Sequence, residues 1–255
     1  MAAEQMQYAK AKEVMGVVDS TLLKPYATYE HVKALIEEAI ELSAYSVCIL
    51  PSQMANAKRI IKGSGADLRI CVVADFPFGG SDTEARGRMS AHYSEDADEI
   101  DIVVNIPMVK SADFASVLED LKAVVGAVHS NGKKIKVITE DAYLTKPEKE
   151  AVYRCVCDSG ADFIKTSTGF ADKEYAASLG NASTGAVPEN LALMSKVADE
   201  AGRSGIGIKA SGGIKNYGEA IRMCEAARRR LLPEEFRIGT SSARTIFDSC
   251  KGDLL

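Results

Sequence analysis

The chain has 255 residues, 46% of them hydrophobic, and 31 basic against 36 acidic side chains leave a net charge of −5. That length can bury a large core and suits one α/β barrel, a fold of roughly 250 residues. No basic stripe suggests nucleic acid, no apolar run spans a bilayer, and the first residues lack a signal-peptide core, so a soluble, cytoplasmic protein is expected.

Strand-like runs alternate with amphipathic helical stretches. The first predicted strand, Gly16–Asp19, leads to a helix that Thr28 can cap, with Val32, Leu35, Ile36, Ala39 and Ile40 following the helical period. Strands at Ser46–Leu50 and Arg69–Ala74 follow, and Ser81-x-x-Glu84 reads as a capping box. In the fourth strand, Glu99–Val104, alternation places Glu99, Asp101 and Val103 on one face and Ile100, Ile102 and Val104 on the other. The fifth, Lys134–Thr139, precedes a second capping box, Thr145-x-x-Glu148. The sixth, Asp162–Lys165, ends in a lysine and runs into the turn Thr166-Ser167-Thr168-Gly169.

Residues 170–187 then form a long stretch rich in small residues, before a helix that starts with Pro188. Loops of this type usually run about 2–6 residues, so the stretch reads as a loop insertion, either a mobile cover or a passive segment. The seventh strand, Gly205–Ala210, leads through Ser211-Gly212-Gly213 to a helix opened by Asn216 and Glu219. Arg228-Arg229-Arg230 reads as the solvated end of that helix, where cations suit the dipole. The eighth strand is Phe236–Gly239.

Eight β-then-α units with no second compositional domain predict a single-domain (β/α)8 TIM barrel. The alternative is an open doubly wound sheet. No G-x-G-x-x-G turn follows the first strand, which leaves dinucleotide binding with little support.

Cys48, Cys71, Cys155, Cys157, Cys224 and Cys250 contain no C-x-x-C pair, and His31, His92 and His129 all fall in predicted helices. Core thiols are expected, with no metal site, no cofactor and no histidine triad.

Charged residues sit where a structural core would prefer valine. Reading the strand ends gives Asp19, Cys48, Asp101, Lys136, Lys165 and Lys209. A lysine ending an apolar strand is costly unless paired or used; one productive use is as an amine nucleophile that forms a Schiff base, and the other reading is that Lys165 and Lys209 simply bind anions. Lys165 and Lys209 lie on consecutive strands. Repulsion between ammonium groups about 6–7 Å apart would be about 2.5 kcal/mol at an effective dielectric of about 20, which would bring one amine toward neutral pH. Asp101 can pair with a lysine and relay protons, and Asp19 can orient a lysine or hydroxyl. Two glycine-containing turns, Ser211-Gly212-Gly213 and Gly239-Thr240-Ser241-Ser242, follow the last two strands, where such barrels bind phosphate.

With these residues in place, the chain resembles deoxyribose-phosphate aldolases, class I aldolases on a (β/α)8 barrel. The matching segments run in order along nearly the whole chain: Asp19-Ser-Thr-Leu-Leu-Lys-Pro, Val47-Cys48-Ile-Leu-Pro51, Asp75-Phe-Pro-Phe-Gly79, Asp98-Glu-Ile-Asp101, Lys136-Val-Ile, Phe163-Ile-Lys165-Thr-Ser-Thr-Gly169, Lys209-Ala-Ser-Gly-Gly-Ile-Lys215 and Arg237-Ile-Gly-Thr-Ser-Ser242. The resemblance implies reversible cleavage of 2-deoxy-D-ribose 5-phosphate to glyceraldehyde 3-phosphate and acetaldehyde. By it, Lys165 matches the Schiff-base lysine, Asp101 and Lys209 the proton-transfer pair, Lys136 a supporting lysine and Cys48 a pocket cysteine. Thr168, Gly169, Gly212, Gly213, Lys215, Gly239, Ser241 and Ser242 are expected around the substrate. A homo-oligomer is implied too, with a dimer expected.

There are departures from the pattern. Phe170 stands where some members have a phosphate-contacting lysine, and Lys215 replaces a common arginine, keeping charge without the bidentate fork. The segment 170–187 is longer than the resemblance leads one to expect. Some members end in a tyrosine that reaches the site, whereas this chain ends Lys251-Gly-Asp-Leu-Leu255, so tail-assisted proton transfer is not expected. The competing readings are a non-catalytic phosphometabolite-binding barrel and a Schiff-base aldolase for another sugar phosphate.

Overall fold

Parallel strands need a long crossover between partners, usually a helix, and the chain supplies one after each strand. A computed structural model describes residues 2–250 and contains eight strands: β1 (Val18–Leu22), β2 (Ser46–Ile49), β3 (Arg69–Ala74), β4 (Glu99–Val103), β5 (Lys134–Ile138), β6 (Phe163–Lys165), β7 (Gly207–Ser211) and β8 (Phe236–Thr240). They pair in parallel in chain order, and β8 pairs with β1 to close the barrel. This is a (β/α)8 TIM barrel.

Helix α1 (Ala2–Met15) precedes the barrel, and α2 (Tyr29–Leu42), α3 (Met54–Ser64), α4 (Thr83–Ser94), α5 (Ile106–Lys110), α6 (Phe114–His129), α7 (Lys146–Ser159), α8 (Lys173–Ser178), α9 (Pro188–Glu200), α10 (Tyr217–Ala226) and α11 (Ala243–Ser249) follow its strands. Among the described residues no helix is long and apolar enough to cross a membrane. The tail motif at 251–255 lies outside the described residues.

The alternation read in the fourth strand holds around the barrel. Ile100, Ile102, Ile135, Val137, Ile164 and Ile208 point outward into one continuous core with the helices. Their neighbours point inward, and there the only apolar cluster among the described residues is small, made of Leu23, Cys48, Cys71 and Val73. Gly207 is required on the inner face, because a Cβ there would lie 2.2 Å from the Phe163 ring.

Several local expectations are corrected. The first strand starts at Val18, because Gly16 and Val17 donate back to Lys12 and Val14 as the end turn of α1. The seventh starts two residues late at Gly207, after an Ile206–Arg203 turn. Helix α4 is capped by Asp82, which accepts from Ala85 N–H, because the Ser81 hydroxyl is already donated to Asp75. Thr28 and Thr145 cap as expected, with His31 as the reciprocal partner of the first. The arginine run follows α10, with Arg228 and Arg230 exposed as expected and Arg230 paired with Glu235, while the partly buried Arg229 donates to Ile206 C=O.

Segment 170–187 contains α8, capped by Asp172, whose own N–H donates to the Tyr143 hydroxyl. Further along, Asn181 donates to the carbonyls of Ala142 and Leu144 and accepts from Lys149. Ala186 N–H donates to Ser211 C=O, bringing this segment against the end of β7.

Candidate active site

Strand register assembles the inner charges. Lys165 is the partner of Lys209, and Lys209 of Arg237, so three cations stand side by side on β6, β7 and β8. Such a row is tolerable only if the facing strands bring anions. Asp101 of β4 does so: its Oδ2 accepts from both Lys165 Nζ and Lys209 Nζ at 2.8 Å, and its Oδ1 from Lys136 Nζ at 2.9 Å. Asp19 lies 2.5 Å from Lys209 Nζ and also accepts from Ser46 and Arg237. Glu99 lies 2.5 Å from Lys136 Nζ and pairs with Arg237.

The expected repulsion between Lys165 and Lys209 is therefore outweighed. Burial draws the Lys209 amine down, but Asp101 and Asp19 overcome it and hold the group above the ordinary lysine value. Lys136 is likewise held well above it, against burial, by Asp101, Cys71 and Glu99. Burial would raise the Asp101 carboxyl, yet Lys136, Lys165 and Lys209 hold it well below the usual range. Asp19 and Glu99 are lowered in the same manner, despite burial, by Arg237, Lys136 and, for Asp19, Lys209. The strand-end reading also needs correction. Asp19, Asp101, Lys136 and Lys209 lie within their strands, fully buried, and Lys165 is the one that reaches the cavity.

That cavity, of about 270 Å³, opens at the C-terminal end of the barrel, with Lys165 among its lining residues. Thr168, Gly169, Gly212, Gly213, Lys215, Gly239, Ser241 and Ser242 line it as expected. Cys48 does not; it packs below, within the small inner apolar cluster. The two glycines of the β7 turn have different duties. Gly212 packs against Gly185, where a Cβ would lie 2.9 Å from its Cα, whereas Gly213 has φ +84° and open space around it. Two main-chain amides of the expected anion cradle are already used, Lys215 N–H by Glu219 and Ser242 N–H by the Thr240 hydroxyl.

Other wall residues were not singled out from sequence. The hydroxyls of Ser167 and Ser211 line the cavity, are buried, and have no protein partner. Lys24 lines the mouth, its ammonium 5.3 Å from the centre of the Phe170 ring. Glu140, at φ +50°, accepts from Thr168 N–H and hydroxyl, anchoring the turn after Lys165. Burial pushes its carboxyl up to about 7 against those bonds. The motif Thr-Leu-Leu-Lys carried a signal for Lys24, but Glu140 carried none, because its partner lies 28 residues away.

Cys48, Cys71 and Asp101 place three ligand atoms within 4.8 Å of one another. The trio does not fit a cation. Lys136 Nζ lies 3.5 Å from Cys71 Sγ, and three ammonium groups already occupy Asp101. Burial also pushes the Cys71 thiol well up, away from the thiolate a metal needs. All six cysteines are buried, none in a disulfide.

A model of the DeoC/LacD family of aldolases matches residues 5–249. The chain is 44% identical to a deoxyribose-phosphate aldolase of Thermoplasma volcanium over 246 residues, 96% of this chain and 97% of that protein. It is 38% identical to one of Thermococcus kodakarensis over 238 residues, covering 93% and 96% respectively. A tetrameric deoxyribose phosphate aldolase from Aeropyrum pernix superposes with a TM-score of 0.78 at 26% identity, covering 98% of this chain and 99% of that one.

Proposed function

The chain belongs to the DeoC/LacD family of aldolases, and from that membership we propose that it is a class I aldolase cleaving 2-deoxy-D-ribose 5-phosphate reversibly to D-glyceraldehyde 3-phosphate and acetaldehyde. The observation that carries the mechanism is one carboxylate, Asp101 Oδ2, bonded at 2.8 Å to both a lysine on the cavity wall and a fully buried second lysine.

Lys165 is the nucleophile. Its free amine attacks the substrate C1 aldehyde, and loss of water from the carbinolamine leaves an imine. The protonated imine accepts the electron pair of the C2–C3 bond as the C3 hydroxyl loses its proton to a base, releasing glyceraldehyde 3-phosphate and a neutral enamine. Protonation at C2 and hydrolysis then free acetaldehyde and regenerate the amine. Asp101 and Lys209 hold and pass protons beside this carbon. Ser167 and Ser211 offer their unpartnered hydroxyls to the sugar, while Gly213, Ser241, Lys24 and Lys215 surround its phosphate, a remote group whose binding positions the reacting carbons. We assign the enzyme to a homo-oligomer on the tetrameric relative; sedimentation distinguishes dimer from tetramer.

Borohydride reduction with acetaldehyde should add one ethyl group to Lys165, read by peptide mass. An unmodified protein would mark a phosphometabolite-binding barrel. Labelling without turnover of deoxyribose 5-phosphate would mark an aldolase for another sugar phosphate.

A further inference from the structure

The inner charges form one connected column that reaches far below the cavity. Its lower end is Arg237, fully buried, its guanidinium 3.6 Å from the centre of the Tyr45 ring and 5.9 Å from that of Phe163. From there Asp19 and Glu99 connect upward to Lys209 and Lys136, and these connect to Asp101 and Lys165. Arg237, Lys136, Lys165 and Lys209 thus face Asp19, Glu99 and Asp101, so one positive charge is left over when all seven are ionised.

The geometry says where the surplus falls. Arg237 has two carboxylate partners, Asp19 and Glu99. Lys209 has Asp19 and Asp101, and Lys136 has Glu99 and Asp101, with Asp19 at 4.0 Å. Lys165 pairs with Asp101 alone, through the oxygen that Lys209 also uses. Lys165 is also the one that reaches the cavity, so its charge is the one the column balances least.

Other titratable groups also face the column, and they are the same in wild type and in the variants below. On β2 and β3 these are the Cys48 and Cys71 thiols: burial raises Cys71 well above its ordinary value, whereas the hydrogen bond with Cys71 lowers Cys48 against burial. Tyr45, before β2, is raised first by burial and stays a neutral phenol. Beyond β5, Glu140 bonds to Thr168 and also acts on Lys165 through space, so above about 7 its charge offsets part of the surplus in wild type and variants alike.

We propose that Arg237 and Glu99, remote from the substrate, are positioning residues whose opposite charges set the pH at which the Lys165 amine becomes free to react. They act through Asp19, Lys136 and Asp101 and touch no reacting atom. The proposal rests on the reading of Lys165 as the Schiff-base lysine.

The test follows the rate of reductive ethylation of Lys165 by acetaldehyde and cyanoborohydride as a function of pH. This readout does not involve the substrate phosphate. Glu99→Gln keeps the shape but enlarges the surplus, and should move the acid limb to lower pH by about one unit. Arg237→Met removes the surplus and should move it upward by a similar amount, and the double variant should return it to the wild-type position. A purely structural role would lower the rate at every pH and leave the limb in place. An unmoved limb in Glu99→Gln, or shifts of the same sign in both single variants, overturns the proposal. If Arg237→Met does not fold, Glu99→Gln decides alone. Failure of wild-type Lys165 to label would instead refute the nucleophile assignment.

Discussion

The two faces of the same eight strands are built on opposite principles. Outward, Ile100, Ile102, Ile135, Val137, Ile164 and Ile208 meet the helices in an apolar layer where each side chain contributes independently by area and packing. Inward, at alternate positions of the same strands, Asp19, Glu99, Asp101, Lys136, Lys165, Lys209 and Arg237 are buried charges, each tolerable only because the others are present. That separation lets one barrel carry both an apolar shell and a charged interior.

Substitutions can break the comparison in graded steps. The largest effect should come from Lys165→Ala, which removes the only inner amine that lines the cavity; both turnover and imine trapping should vanish. Near-normal activity would refute the assignment of the inner face. Asp101→Asn should follow, with kcat down about 10²–10⁴-fold while the imine still forms. Deuterium exchange into acetaldehyde at C2 reads that step directly, and exchange at the wild-type rate would contradict it.

On the outer face, Ile164→Ala, one residue before Lys165, should cost about 2–5 kcal/mol of stability in denaturant melts yet leave the pH–rate profile in place. A displaced profile would show the two faces to be coupled. Glu140→Gln should act through pH. An acid whose folded value, about 7, lies above its unfolded one opposes folding once ionised. Its stability contribution is therefore greatest below the unfolded value of about 4.3 and declines as pH rises through 7. The variant should gain stability over wild type by about 1–3 kcal/mol at pH 8 and lose that advantage at about pH 4, as thermal melts at the two pH values would show. The smallest effect belongs to Lys24→Met. It should raise KM for deoxyribose 5-phosphate about 5–10-fold, equivalent to about 1 kcal/mol, and change use of unphosphorylated deoxyribose little. Equal losses for the two sugars would remove Lys24 from the phosphate end.

The sequence by itself determined the barrel, its order of strands and helices, and, in the fourth strand, which residues share a face. A period of two and the spacing of caps and turns are local properties, written within a few consecutive residues. It also marked Lys165, Asp101, Lys209 and Lys136, because a charge in an otherwise apolar strand is conspicuous wherever it lies. Only the tertiary structure decided what those charges do to one another. The contact from Lys165 to Asp101 spans 64 residues, that from Lys209 to Asp101 spans 108, and that from Arg237 to Asp19 spans 218. From the chain alone, Lys165 and Lys209 read as repelling neighbours; the closed barrel puts a carboxylate between them and reverses the sign for Lys209. The same closure made Glu99 and Arg237 part of the column and left Cys48 below the cavity wall. The reason is physical: strand alternation fixes which face a side chain occupies, but register and closure fix its neighbours, and the energy of a buried charge depends almost wholly on its neighbours.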